Sequence, residues 1–226
     1  MKVKYLGQNC FLFSYQDKTI LTDPFYNFQK DKSGFSIDHQ KIDYVLITHA
    51  HGDHTTDVKE VLMKNPDAIL IAQPEICGYF KHNQAIDLNY GGTTKINDLE
   101  ISMVPALHTS SFPDGSYGGQ PCGYMLSFEG KNIYFAGDTG VMADMELFPK
   151  MFGKIEVSIL PIGGHYTMCP KQAAFAASEL LQCKKVIGCH FDTFPPISIH
   201  HEEAQKAFLQ KEVELVLPKL GQKIVL

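Results

Sequence analysis

Long apolar runs are missing from this chain of 226 residues. No window approaches the roughly 18 apolar residues that a membrane-spanning helix needs, which argues against a membrane protein. Nor does the start, Met1-Lys2-Val3-Lys4-Tyr5-Leu6, carry the apolar stretch and small-residue cleavage site of a signal peptide. A basic excess is missing as well. Twenty Lys and Arg stand against 25 Asp and Glu, giving a formal charge of -5 and a pI near 6.0. That balance disfavours nucleic acid as a main partner and leaves small substrates, anionic ones included, open. The six cysteines (Cys10, Cys77, Cys122, Cys169, Cys183 and Cys189) contain no C-x-x-C pair. Scattered thiols point to reduced cysteines in a cytoplasmic protein rather than to a disulfide framework. There is no repeat, low-complexity tract or linker-like shift in composition, so residues 1–226 are expected to form one domain.

Hydrophobic residues make up 44% of the chain, enough for a sizeable core. Apolar runs predict strands over 3–6, 10–14, 19–22, 44–47, 68–72, 99–105, 124–128, 133–136, 157–160, 185–188, 214–217 and 223–226. The clearest helix is Pro170 to Cys183, where Ala173, Ala176, Ala177, Leu180 and Leu181 share one face. Weaker helical patterns cover 56–64, 74–82, 141–148 and 201–211. Such an alternation implies an α/β sandwich with helices covering sheets, and ligands gathered at strand ends.

One segment stands out chemically. Thr48-His49-Ala50-His51-Gly52-Asp53-His54 directly follows the apolar run Asp43 to Ile47. An H-x-H-x-D-H string at a strand end supplies imidazole and carboxylate ligands for one or two divalent metals. Three more ligand-type residues have the same context. His108 follows Met103-Val104-Pro105, Asp138 follows Ile133 to Gly137, and His190 follows Val186 to Cys189. Alone, His108 or His190 would read as an ordinary partly buried histidine, and Asp138 as a turn residue in Gly-Asp-Thr-Gly. Together they complete a dinuclear ligand count.

The succession Thr22-Asp23-Pro24, the H-x-H-x-D-H string, His108, Ala136-Gly137-Asp138-Thr139 and His190 resembles the metallo-β-lactamase superfamily. Pro161-Ile162-Gly163-Gly164-His165-Tyr166-Thr167-Met168 and His190 to Pro196 narrow the resemblance to a family of small, uncharacterised metal-dependent hydrolases within it. The likeness spans nearly the whole chain. It implies a four-layer αβ/βα sandwich with metals at the edge of the two sheets. It also implies that His49, His51 and His108 hold one metal, that Asp53, His54 and His190 hold a second, and that Asp138 bridges them. Zinc suits such a set best, with manganese or iron as alternatives. Two metals roughly 3.5–4 Å apart lower the pKa of a shared water, so a metal-bridging hydroxide is the implied nucleophile. The expected activity is hydrolysis of a small ester, lactone, amide or phosphodiester. Asp53 is expected to orient the nucleophile and take its proton. A secreted β-lactamase is not expected, for want of a leader.

Other residues carry weaker expectations. Asp23 reads either as a turn starter before Pro24 or as a hydrogen-bond partner of a ligand histidine. His165, flanked by Gly163-Gly164, reads either as a solvent-exposed loop residue or as a proton donor or substrate contact. His39, His82, His200 and His201 lack a strand-end context and read as surface or helix-end residues. Two long segments read as irregular, Phe25 to Lys41 and Thr109 to Gln120. They read as lids, as plain connections, or as carriers of an aromatic interface in a homo-oligomer; aromatic residues that line the cleft would favour a partly apolar small-molecule substrate. The chain departs from the pattern at Gly7-Gln8-Asn9-Cys10, where relatives commonly carry a histidine after the glycine. Glutamine keeps hydrogen-bonding capacity but cannot titrate. Two readings from other classes stand beside hydrolysis: a di-iron redox protein, and a metal-loaded binding protein without turnover.

Overall fold

The computed structural model describes residues 1–226. In chain order it begins with strands β1 (Lys2–Gly7), β2 (Cys10–Tyr15) and β3 (Lys18–Thr22), followed by helix α1 (Lys30–Ser33). Next come β4 (Tyr44–Leu46), α2 (Gly52–Thr55), α3 (Val58–Lys64), β5 (Ile69–Ala72), α4 (Pro74–Phe80) and β6 (Ala85–Asp87). The middle holds β7 (Thr93–Ile96), β8 (Leu99–Pro105), β9 (Cys122–Phe128), β10 (Lys131–Phe135), α5 (Leu147–Phe152) and β11 (Ile155–Pro161). The chain finishes with α6 (Pro170–Phe175), β12 (Lys185–Cys189), α7 (His201–Leu209), β13 (Glu214–Val216) and β14 (Lys223–Val225).

These elements divide into two compact units. The first comprises Met1–Asn89, Thr109–Pro121 and Lys219–Leu226, and its sheet runs β14-β1-β2-β3-β4-β5-β6. Strands β14 to β3 pair antiparallel, and β3 to β6 pair parallel. The second comprises Tyr90–His108 and Cys122–Pro218, with the order β13-β12-β11-β10-β9-β8-β7. Here β7 to β10 are antiparallel and β10 to β13 parallel. Each unit has its own core. Leu12, Leu21, Val45 and Val61 contribute to the first, Met125, Tyr134, Leu160 and Phe208 to the second.

All twelve strands read from the sequence are present. The two that were not, β6 and β7, are short, polar and largely exposed, and lie at sheet edges, so no apolar run marks them. The helix expected over Pro170–Cys183 is a correction: α6 ends at Phe175 and a π-helical turn follows over Ala176–Leu180. Leu181 N donates to Ala176 O at 2.9 Å, and the wider turn lets both Leu181 and Cys183 reach the core. Over the helix expected at 141–148 lies a 3₁₀ turn, Ala143–Glu146, that leads directly into α5, where Pro149 sits in the first turn and its missing N–H costs nothing.

The segment Phe25 to Lys41 is not irregular. It carries 3₁₀ turns over Tyr26–Gln29 and Ile37–His39 besides α1. Tyr26 and Phe35 are buried in the core of their unit, edge to face with centroids 4.8 Å apart. Phe112 is also buried, stacked on Tyr79 at 3.6 Å. These three aromatic residues hold the segments down rather than facing a substrate.

Candidate metal centre

In the first unit, parallel pairing sets Thr22 opposite Leu46, so the loops after β3 and β4 leave the sheet at the same end. Asp23 opens one of them in the left-handed region, φ 38°, and its N–H donates to Leu46 O at 3.0 Å. Its side chain is wholly buried. Oδ1 accepts from Thr48 N at 2.8 Å, while Oδ2 accepts from Thr48 Oγ1 at 2.7 Å and faces His54 Nδ1 at 2.8 Å. Burial pushes the Asp23 carboxyl up from its usual range, and His54 and the Thr48 hydrogen bonds oppose the shift.

These contacts fix proton positions. With Asp23 accepting, His54 carries its proton on Nδ1 and presents the Nε2 lone pair. Thr48 spends its single hydroxyl proton on Asp23, so at 3.1 Å it accepts from His49 Nδ1. His49 therefore also presents an Nε2 lone pair, 3.0 Å from His51 Nδ1. Two buried imidazoles are thus set in the tautomer a metal ligand needs.

Asp53 lies in the first turn of α2. Its Oδ2 accepts from Gln8 Nε2 at 2.8 Å and stands 3.4 Å from His54 Nε2. The 109–121 segment braces the histidine loop. Ser110 Oγ accepts from Ala50 N at 3.1 Å and donates to Gly118 O at 2.9 Å. Thr109 Oγ1 lies 3.4 Å from His51 Nε2, and Gln73 Nε2 donates to Thr48 O at 2.8 Å and Gln120 O at 2.6 Å. At Gly118 a Cβ would fall 2.1 Å from that of Ala50. Thr48, Gln73 and Ser110 escaped sequence reasoning. Only Thr48, a polar residue ending an apolar strand, carried any signal.

In the second unit β8 and β10 run the same way, each antiparallel to β9 between them, and β10, β11 and β12 are parallel. Their following residues therefore emerge at one end. Asp138 Oδ2 lies 3.0 Å from His190 Nε2 and 3.6 Å from His108 Nε2. Thr139 Oγ1 accepts from Leu107 N at 3.0 Å, and Gly140 N donates to Leu107 O at 3.0 Å, which stitches the two loops together. His190 is left-handed at φ 53°. Gly163 is obligatory beside it, because a Cβ would come within 2.2 Å of His190 O.

His49, His51, Asp53 and His54 in the first unit, and His108, Asp138 and His190 in the second, offer N and O donors of the kinds that zinc, manganese or iron take, and His49, His54, Asp138 and His190 are almost wholly buried. A buried carboxylate such as Asp138 is costly unless a positive charge compensates it.

The remaining histidines lie elsewhere. His165 is exposed on the loop after β11, edge-on to Tyr166 at 4.6 Å. His82 contacts Ala68 O at 2.7 Å, and His201 pairs with Asp192 at 2.6 Å. His39 lies in a 3₁₀ turn and His200 precedes α7. All six cysteines are free.

A family model described as a beta-lactamase superfamily domain matches residues 2–190. A UPF0173 metal-dependent hydrolase of Christiangramia forsetii is 42% identical over the whole of both chains. One from Pyrococcus furiosus is 41% identical, again over the whole of both chains. Among solved structures, Igni18, a metallo hydrolase from Ignicoccus hospitalis, is 32% identical with a TM-score of 0.86, covering 99% of this chain and 97% of its own. The expected α/β, metallo-β-lactamase-like fold is borne out by that match. The chain belongs to the metallo-β-lactamase superfamily and, within it, to the UPF0173 metal-dependent hydrolases.

Proposed function

We propose that the protein is a dinuclear hydrolase of small molecules, in which the two units act as one domain. In this reading His49, His51 and His108 form one ligand group, Asp53, His54 and His190 the other, and Asp138 bridges them. The observation that carries it is the tautomer relay. The buried Asp23 sets His54 directly, and His49 through Thr48, with the proton on Nδ1 and the lone pair on Nε2.

When bound, the metals supply Lewis acidity that brings a water towards ionisation at neutral pH and polarises the scissile group. Zinc is the first choice. The protein's own residues do the rest. Asp53, held through Oδ2 by Gln8, orients the attacking water and accepts its proton. Asp138, between His108 and His190, supplies the negative charge that offsets the cation they would hold. His165, at the solvent-facing side, hands a proton to the leaving group. Leu107 and Tyr166, exposed beside His108 and His165, offer an apolar surface, which favours an uncharged or singly charged ester, lactone, amide or phosphodiester. The free thiols accord with a cytoplasmic setting.

A panel of aryl esters, lactones and phosphodiesters, run on the zinc-reconstituted chain and on the chelator-stripped chain, tests the reading. Turnover of one class that disappears on stripping and returns with zinc is expected. Turnover that survives stripping would overturn it.

A further inference from the structure

The turn between β1 and β2 buries two polar residues at the tip of a hairpin, where side chains ordinarily meet water. Gln8 and Asn9 are both fully buried. Gln8 holds this place in the left-handed region at φ 53°, a conformation that residues other than glycine, asparagine and aspartate rarely take. Gly7 before it is at φ 110°, a region that side chains rarely adopt, so the turn takes glycine there.

The Gln8 side chain makes one hydrogen bond. Nε2 donates to Asp53 Oδ2 at 2.8 Å, whereas Oε1 is buried without a partner. A left-handed backbone and an unsatisfied acceptor thus accompany that contact in one buried residue. Such a concentration of cost at one residue marks a functional constraint rather than a packing need.

We infer that Gln8 is a positioning residue for Asp53. Its amide is a donor that holds Oδ2 at 2.8 Å, and so orients that carboxylate oxygen. This role rests on the dinuclear reading, in which Asp53 belongs to one ligand group only. The consequence is selective: Gln8 supports one metal of the pair and leaves the other untouched.

The test measures the affinity of each zinc equivalent separately, by competition of the full-length chain against a chromophoric chelator. Gln8→Met removes the amide at similar length. It is expected to weaken one equivalent by about 10- to 100-fold, the range for loss of a hydrogen bond to a ligand, and to leave the other within about twofold. Should Gln8→Met fail to fold, Gln8→Asn, whose amide stops short of Asp53, is expected to give the same selective loss. Equal weakening of both equivalents, or no weakening of either, would overturn the role. Wild-type protein that never binds two equivalents would instead overturn the dinuclear reading, and this role with it.

Discussion

Replacing Asp23 with asparagine is the most informative single perturbation, because it changes hydrogen-bond polarity without changing shape. The carboxylate accepts three hydrogen bonds, from Thr48 N, Thr48 Oγ1 and His54 Nδ1, at 2.7–2.8 Å. In Asp23→Asn the one remaining oxygen stays with Thr48 N, and the new NH₂ meets a hydroxyl and an imidazole that were both donors. Each must reverse. His54 then accepts on Nδ1 and carries its proton on Nε2. The Thr48 hydroxyl turns to donate to His49 Nδ1, which moves that proton to Nε2 as well. One substitution thus blocks two ligand atoms. Three bonds to a charged acceptor, worth about 1.5–3 kcal/mol each, become neutral bonds worth about 0.5–1.5, a loss of about 3–4.5 kcal/mol. Relief of the buried charge offsets part of this, so a fall of about 1–2 kcal/mol in stability is expected. Metal affinity should fall by at least about 10- to 100-fold, the usual effect of losing a partner behind a ligand histidine. Long-range ¹H–¹⁵N correlation spectra of the metal-free chain report the tautomers directly, and chelator competition reports the affinity. Wild-type spectra with the proton on Nε2 of His49 and His54 would refute the reasoning, as would an Asp23→Asn chain with wild-type metal affinity.

Three further outcomes follow from the same geometry. Ser110→Ala leaves Ala50 N and Gly118 O without their shared hydroxyl and should cost about 1–3 kcal/mol in denaturant-induced unfolding. Gly163→Ala puts a methyl 2.2 Å from His190 O, so His190 must move; a stability loss of about 1–3 kcal/mol and weaker zinc binding are expected, by calorimetry and competition. The Cys77 thiol is pushed up to about 11 by burial, helped by the charge of Asp87. At pH 8 it should react with a thiol reagent about 100-fold more slowly than an ordinary cysteine, and the rate should climb steadily with pH up to about 11.

The strands were legible because burial on both faces leaves continuous apolar runs, as in Val45-Leu46-Ile47 and Ile133-Tyr134-Phe135. The candidate ligands were legible because each follows such a run. What escaped was decided by tertiary contact. Nothing local tells that Gln73 reaches Thr48 O, or that Ser110 inserts between Ala50 and Gly118, sixty and eight residues away. The π-turn after α6 was hidden for the same reason, since a helical alanine face looks alike whether or not Leu181 and Cys183 must both turn inward. Aromatic content misled at Tyr26, Phe35 and Phe112, because a sequence does not distinguish an aromatic residue that lines a cleft from one that pins a loop to the core.

Metal stoichiometry tests the central claim most directly. Elemental analysis of the purified chain, saturated with zinc and then dialysed free of excess, should find two zinc ions per chain, falling to one or fewer in Asp138→Ala. Less than one zinc per chain in the wild type, or two retained in Asp138→Ala, would contradict the account.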